Sequence, residues 1–180
     1  MKGSALRDGI FALRTRRLGT AAEAMVKRLE SLGRASSVFY DLHDEQLNDR
    51  VEVKFSTVLR KHQRTITHDN VLQCIAEEIP AKRMVTYSKW QRSRFDCNIQ
   101  QIKRREFDVL YYGLFFADQV LIFRIPSKEI GKGIGYSDKQ HKGNVGEGQF
   151  HVTEQNLKLH LDRYLYKMLT YEELAKLLTD

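Results

Sequence analysis

The sequence predicts an α/β (α+β) protein with a mixed central β-sheet flanked by helices. Three observations carry that reading. Apolar residues recur at helical spacing near both ends of the chain. Two strand-like runs flank a short polar turn, and two longer apolar runs follow residue 106. A hairpin in place of a regular strand–helix–strand series favours a mixed sheet over a parallel one. The length of 180 residues suits one domain, 1–180, and a hydrophobic fraction of 42% with 29% charged residues suits a folded core.

The first helix is expected over residues 6–17. A second is marked by Thr20 as N-cap, Glu23 three residues on, apolar Ala22, Met25, Val26, Leu29 and Leu32 at helical spacing, and Gly33 as the stop. Residues 37–42 are rich in β-branched and aromatic side chains and predict a strand; residues 44–49 make the turn. Residues 50–55 then alternate at period two, with Val51, Val53 and Phe55 on one face and Glu52 and Lys54 on the other. A helix is expected over residues 69–79, with Val71, Leu72, Ile75 and Ile79 inward. Residues 107–116 and 119–125 predict two further strands. Six of the eleven glycines fall between residues 131 and 148, so residues 127–149 are expected to form a flexible, glycine-rich loop. Helices over 154–169 and 171–178 close the chain.

Charge is unevenly spread. Residues 80–105 hold eight basic side chains against Asp96 alone, a surplus equal to the whole formal net charge of +7. Such a cluster points to a polyanion, and nucleic acid is the commonest in a cell. Lys89, Arg92, Arg94, Gln100, Lys103, Arg104 and Arg105, with Lys139 and Lys142 from the glycine-rich loop, are the candidate DNA contacts. Other classes are disfavoured. The longest apolar stretch, residues 110–125, carries Asp118, Gln119 and Arg124, too polar to span a bilayer. The N-terminal residues lack the continuous apolar core of a secretory signal. Cys74 and Cys97, with no CxxC pair, fit reduced thiols in the cytoplasm rather than a disulfide scaffold or zinc knuckle. Gly131-Lys132-Gly133-Ile134-Gly135 fits neither phosphate-loop pattern, so no nucleotide cofactor is expected.

The sharpest chemistry lies in the hairpin. Glu52 and Lys54 are two apart on a strand and project together, beside residues expected to pack on a core. An acid and an amine there are costly unless they are paired or bind an ion. With a simply closed turn, Asp41 on the neighbouring strand lies beside Glu52. Two carboxylates that close repel, and a divalent cation compensates them; oxygen ligands suit Mg²⁺. A metal on two carboxylates with an ammonium alongside meets the needs of phosphodiester hydrolysis, polarising a phosphoryl oxygen and lowering the pKa of a bound water.

A helix bearing a glutamate, a strand with Asp and a strand reading Glu-x-Lys together resemble the PD-(D/E)XK nuclease superfamily. The matching text is Gly19-Thr20-Ala21-Ala22-Glu23-Ala24-Met25-Val26, Tyr40-Asp41-Leu42 and Val51-Glu52-Val53-Lys54-Phe55, within residues 19–56. Tyr40 stands where the named motif often has proline. The resemblance implies a restriction-endonuclease-like fold. It also implies Asp41 and Glu52 as metal ligands joined by the backbone carbonyl of Val53, Lys54 as the water-activating residue and Glu23 as an auxiliary ligand. Alternatives stay open: Glu23 completing a Thr20-x-x-Glu23 capping box, Asp41 capping the turn with Asp44 or Asp49 as ligand, and Glu52 with Lys54 as a solvent-facing pair.

The resulting expectation is a Mg²⁺-dependent endonuclease of double-stranded DNA, most similar to a type II restriction enzyme, leaving 5′-phosphate ends and working as a homodimer. Base reading is expected from residues 127–149 and 100–105. A structure-specific nuclease of Holliday-junction or repair type, and a non-catalytic DNA-binding module, are the alternatives.

Overall fold

The computed structural model describes residues 2–61, 64–139 and 146–179. Helices α1 (Gly3–Ala12) and α2 (Thr15–Glu30) lead into strands β1 (Gly33–Arg34), β2 (Leu42–Asp44) and β3 (Asp49–Thr57). Helices α3 (Val71–Glu77) and α4 (Pro80–Arg83) and a 3-10 segment (Tyr87–Arg92) precede β4 (Asp96–Ile102), β5 (Val109–Phe115) and β6 (Val120–Pro126). The chain ends with β7 (Gly148–Thr153), α5 (Leu157–Tyr164), β8 (Leu165–Leu169) and α6 (Tyr171–Thr179).

The expected mixed sheet is present, six strands in the order β1-β2-β3-β5-β6-β8. Only the β3–β5 pair is parallel; the other pairs run antiparallel. Strands β4 and β7 form a separate antiparallel ribbon. Alternation along the central strands sends side chains to two cores. On one face Phe11, Leu18, Ala22, Met25, Val26 and Leu174 from the helices cover Val51, Val53, Tyr111, Phe115 and Ile122. On the other, Phe95, Cys97, Ile99, Phe150, Val152 and Leu157 cover Leu110, Tyr112, Leu114, Leu121 and Phe123. With both faces covered, β5 is buried at every position, which is why it reads as a continuous apolar run.

Several expectations are corrected. The first helical break falls at Leu13 and Arg14, both extended, rather than near Gly19, and α2 ends at Ser31 in the left-handed region (φ 55°) rather than at Gly33. Gly19 is carried inside α2 because Leu18, Ala22, Met25 and Val26 all reach the core from one stripe. Thr20 is therefore no cap: its hydroxyl donates to the Arg16 carbonyl one turn back, at 3.3 Å. A Thr-x-x-Glu box does form at α6, where Glu173 Oε2 accepts from the Thr170 N–H at 2.7 Å and the Thr170 hydroxyl accepts from the Glu173 N–H at 3.2 Å.

The strand expected over 37–42 does not form there: β2 begins only at Leu42, and Val38 and Phe39 before it are exposed. The helix expected over 69–79 ends at Glu77; the residues expected inward, Val71, Leu72 and Ile75 in α3 and Ile79 beyond it, face solvent, and Cys74 is the buried one. Strand β4 lies inside the basic segment. The expected 127–149 loop contains 3-10 turns at Ser127–Glu129 and Lys132–Ile134 and the start of β7. The helix expected over 154–169 is α5 followed by β8, the sixth strand of the sheet. Among the described residues no helix is long and apolar enough to cross a membrane.

Candidate active site

The site is built on β3 and the residue entering β2. A paired clamp fixes the start of β3: Arg50 Nε and Nη2 each donate to Asp108 at 2.9 Å, and the Asp108 N–H donates to the Arg50 carbonyl at 2.8 Å. The Arg50 guanidinium holds the Asp108 carboxyl down at about 2. The turn closes as the sequence predicts, with Asp44 opposite Asp49 and Leu42 opposite Val51. Asn48 turns the corner with φ 56°, a conformation Asn tolerates better than most residues.

Asp41 sits one residue before β2. Its N–H donates to the Val51 carbonyl at 3.0 Å, and its Oδ2 accepts the Val53 N–H at 2.8 Å. The carboxylate thus replaces a strand partner for Val53 where β2 has ended. A strand residue's N–H and C=O leave by the same edge, so the Val53 carbonyl faces that edge as well. Lys54 Nζ lies 3.5 Å from Asp41 Oδ2 and makes a close ion pair with Glu52 Oε1. The three groups proposed from the hairpin are therefore in one place. The Glu52 side chain is only 11% exposed, while those of Lys54 and Asp41 keep 24% and 22% of their surface open.

These groups open onto a cleft of about 240 Å³. Phe39 and Tyr40 form one wall; Gln101, Lys103 and Glu106 form another. Gln101 reaches it from a bulge in β4, between Gln100 and Ile102, with φ 61°. Bulges of this kind re-aim a side chain. Lys103 pairs with Glu106 at 3.6 Å.

Burial dominates the electrostatics. It pushes the Glu52 carboxyl up to about 7, with the charges of Asp41 and Glu106 adding and Lys54 opposing. Burial alone would lower the Lys54 ammonium, but Glu52 and Asp41 outweigh it and hold it above the ordinary lysine value. Glu23, half-buried on α2, feels both Asp41 and Lys54; burial first and then Asp41 raise its carboxyl, against the pull of Lys54. Freed from capping, Glu23 joins the site electrostatically. Asp41, Glu52 and Glu23 thus surround the Lys54 ammonium, and Glu106 and Glu147 bring further carboxylates to the cleft beside Lys103, an acidic excess that a divalent cation would offset. Among the described residues no three His, Cys, Asp or Glu side chains converge closely enough to cage a metal unaided. The donors on offer are the Asp41 and Glu52 carboxylates and the Val53 carbonyl, with Glu23 further out. That partial oxygen set fits Mg²⁺, which keeps several waters.

The proposed DNA contacts divide. Lys103 lines the cleft, whereas Arg92 and Arg94 line a different groove beside Arg60 and Lys82. Lys89, Gln100, Arg105 and Lys139 are exposed. Arg104 is held internally, donating to the Ile130 carbonyl at 2.7 Å and to Asp138 at 2.9 Å and lying over the Tyr136 ring at 4.4 Å. Lys142 lies outside the described residues. Trp90 packs against the core. Sequence reasoning missed Glu106 at the cleft and reached Gln101 only as one residue of the 100–105 run: the bulge that aims Gln101 interrupts the alternation that would have revealed β4. No protein-family model, curated protein or solved structure matches this chain.

Proposed function

We propose that the chain is a Mg²⁺-dependent endonuclease that hydrolyses phosphodiester bonds in double-stranded DNA, with a restriction-endonuclease-like site of the PD-(D/E)XK type. The observation that carries this is the convergence of Asp41 and Glu52 on the Lys54 ammonium in an open cleft. Asp41, Glu52 and the Val53 carbonyl would hold the ion, which supplies Lewis-acid polarisation of the scissile phosphate. The chain's own groups do the rest. The Val53 N–H fixes the Asp41 carboxylate so that it cannot swing away. Lys54, kept charged by its acidic neighbours, acts as a donor: its ammonium orients the attacking water and offsets charge on the phosphoryl oxygens. Water forms the new P–O bond as the bond to the 3′ oxygen breaks; the water's proton passes to solvent and the leaving oxygen takes one up, giving 5′-phosphate and 3′-hydroxyl ends. Cutting both strands would take two such sites in a two-fold homodimer.

A second reading, cleavage at branched or distorted DNA, draws on Val38 and Phe39. These side chains are 96% and 58% exposed at the cleft, an apolar surface that fits an unstacked base. Incubation of supercoiled plasmid and of a branched duplex with Mg²⁺, beside an EDTA control, separates the readings. Discrete plasmid fragments support a restriction enzyme, and cutting confined to the branch supports the second reading. If neither substrate is cut, or if Lys54→Ala cuts as well as the native protein, the hydrolase proposal fails and a binding module remains.

A further inference from the structure

Beyond β3 the chain stays extended. Leu59 and Arg60 form antiparallel bridges to Met84 and Phe95, and the Lys61 N–H donates to the Arg94 carbonyl at 2.8 Å. These pairings bring Arg60, Lys61 and Arg64 beside Arg92 and Arg94, and α4 adds Lys82 and Arg83. They line an open groove of about 560 Å³ whose one carboxylate, among the described residues, is Glu77.

Some of these cations are committed. Lys61 meets Asp96 at 3.3 Å, Arg64 meets Glu77 at 3.7 Å and Arg83 meets Glu78 at 2.5 Å. Arg60, Lys82, Arg92 and Arg94 have no side-chain partner among the described residues. Four unpaired cations in one concavity repel one another and lower their energy by taking up anions. The groove is broad, open and charged along its length, which fits a run of phosphates better than one small anion.

Its position adds a register. Lys54 and Arg60 are six residues apart on an extended chain, at most about 20 Å at roughly 3.3 Å per residue. Strand β4 covers a similar span in the opposite direction, from the Arg94 end to Gln101 at the acidic cleft. Phosphates on one DNA strand advance about 3.4 Å per step along the axis, so about six steps separate the two places.

We infer that this groove is a second, non-catalytic phosphate site that holds the backbone of duplex DNA about six nucleotides from the bond presented to Asp41, Glu52 and Lys54. The register rests on the nuclease reading; the hold on phosphate does not.

The test is direct. Arg60→Gln, Arg92→Gln and Arg94→Gln are combined in one protein. Arg60 and Arg94 are held to their neighbours through main-chain carbonyls, so the fold should persist, checked by circular dichroism and melting temperature. Binding to a labelled random duplex of about 24 base pairs, somewhat over two helical turns, is followed by fluorescence anisotropy in EDTA from about 50 to about 200 mM salt. The expected result is roughly tenfold or weaker binding and a salt slope smaller by two to three, about 0.9 per lost phosphate contact. A control with Lys158→Gln, Arg163→Gln and Lys167→Gln removes equal charge elsewhere and should keep the native slope. An unchanged slope in the groove variant overturns the inference even if the native protein cuts DNA. A reduced slope upholds it even if no cutting is ever seen, in which case the nuclease reading alone fails. Tighter binding to a single strand of the same length overturns the duplex assignment. On cut substrates, phosphate-ethylation interference about six steps from the scissile bond supports the register, and interference confined to the bond's immediate flanks refutes it.

Discussion

Acid should destabilise this protein through His160. The imidazole is 0% exposed; its Nδ1 meets the Tyr112 hydroxyl at 2.7 Å, and its Nε2 is buried without a partner among the described residues. It stacks on Phe150, 5.8 Å between ring centres and 14° between planes. A charged imidazolium in that apolar layer has no counter-charge beside it, and burial lowers its pKa from 6.5 to about 4. The unfolded chain protonates near the ordinary value, so protons favour unfolding. Stability is full above about pH 6.5, declines as pH falls from there and levels off below about pH 4. One pKa unit is about 1.4 kcal/mol, so the full loss is about 3 kcal/mol, of which about 2 kcal/mol is felt by pH 5. Urea midpoints at about pH 7.5 and about pH 5 measure it. His160→Gln keeps an acceptor for Tyr112 but cannot titrate. It should be less stable than the native protein at pH 7.5, where it loses the stacking on Phe150, yet lack the roughly 2 kcal/mol of pH dependence. Other groups contribute equally to both proteins, so the difference between them isolates His160. Equal pH dependence in the two would refute the reasoning.

Five further substitutions have defined outcomes elsewhere in the structure. Thr170→Ala should cost about 1 kcal/mol by removing the α6 cap. Thr20→Ala should be neutral or slightly stabilising, since Ala is the better residue inside a helix; thermal unfolding compares them. Gly113→Ala places a methyl group into the Phe55 ring that crosses β5, and overpacking of this kind costs about 1–3 kcal/mol; chemical denaturation reads the loss. In the plasmid assay Glu52→Gln should lower nicking by about 10²–10³-fold. Glu23→Gln should instead require more Mg²⁺, by about 10–100-fold, with turnover at saturating ion largely kept, the mark of an outer-sphere partner.

What could be read from the sequence was local. The alternation of β3, the polar turn and the apolar runs of β5 and β6 are properties of adjacent residues, and so is the placing of Glu52 beside Lys54. Asp41 joins them because a short hairpin leaves little choice of register. The misplacements involve choices made by tertiary packing. Residues 37–42 have strand composition, yet such composition describes fitness for a half-buried surface, and Val38 and Phe39 are given none. Leu72, Ile75 and Ile79 show helical spacing, but α3 docks through Cys74 instead. The α1–α2 break at Leu13 and Arg14 has neither glycine nor proline to announce it. The basic groove was half-visible: the charge excess of residues 80–105 is plain, but Arg60 and Arg64 join it through a bridge between distant segments.

Segregation of charge along β3 and β4 has a consequence for substrate entry. The acidic groups of the cleft, Asp41, Glu52, Glu106 and Glu147 with Glu23 nearby, outnumber Lys54 and Lys103 and repel a phosphate approaching alone. On the proposed reading, attraction for a polyanion must therefore come from elsewhere on the surface, and the arginines of the groove would supply it. A divalent ion offsets that acidic excess, and on the proposed nuclease reading only then would a backbone held at the groove gain by settling beside Lys54. Under the proposed function, binding and presentation for cleavage would be separate steps governed by separate charges, the first sensitive to salt and the second to Mg²⁺. Calcium, which takes oxygen ligands with looser geometry, should accordingly tighten DNA binding over that seen in EDTA in the native protein. It should do so far less in Glu52→Gln, where the cleft has lost one of its two ligating carboxylates. Equal tightening in both would mean that the ion acts away from the cleft, and the division of labour argued here would not hold.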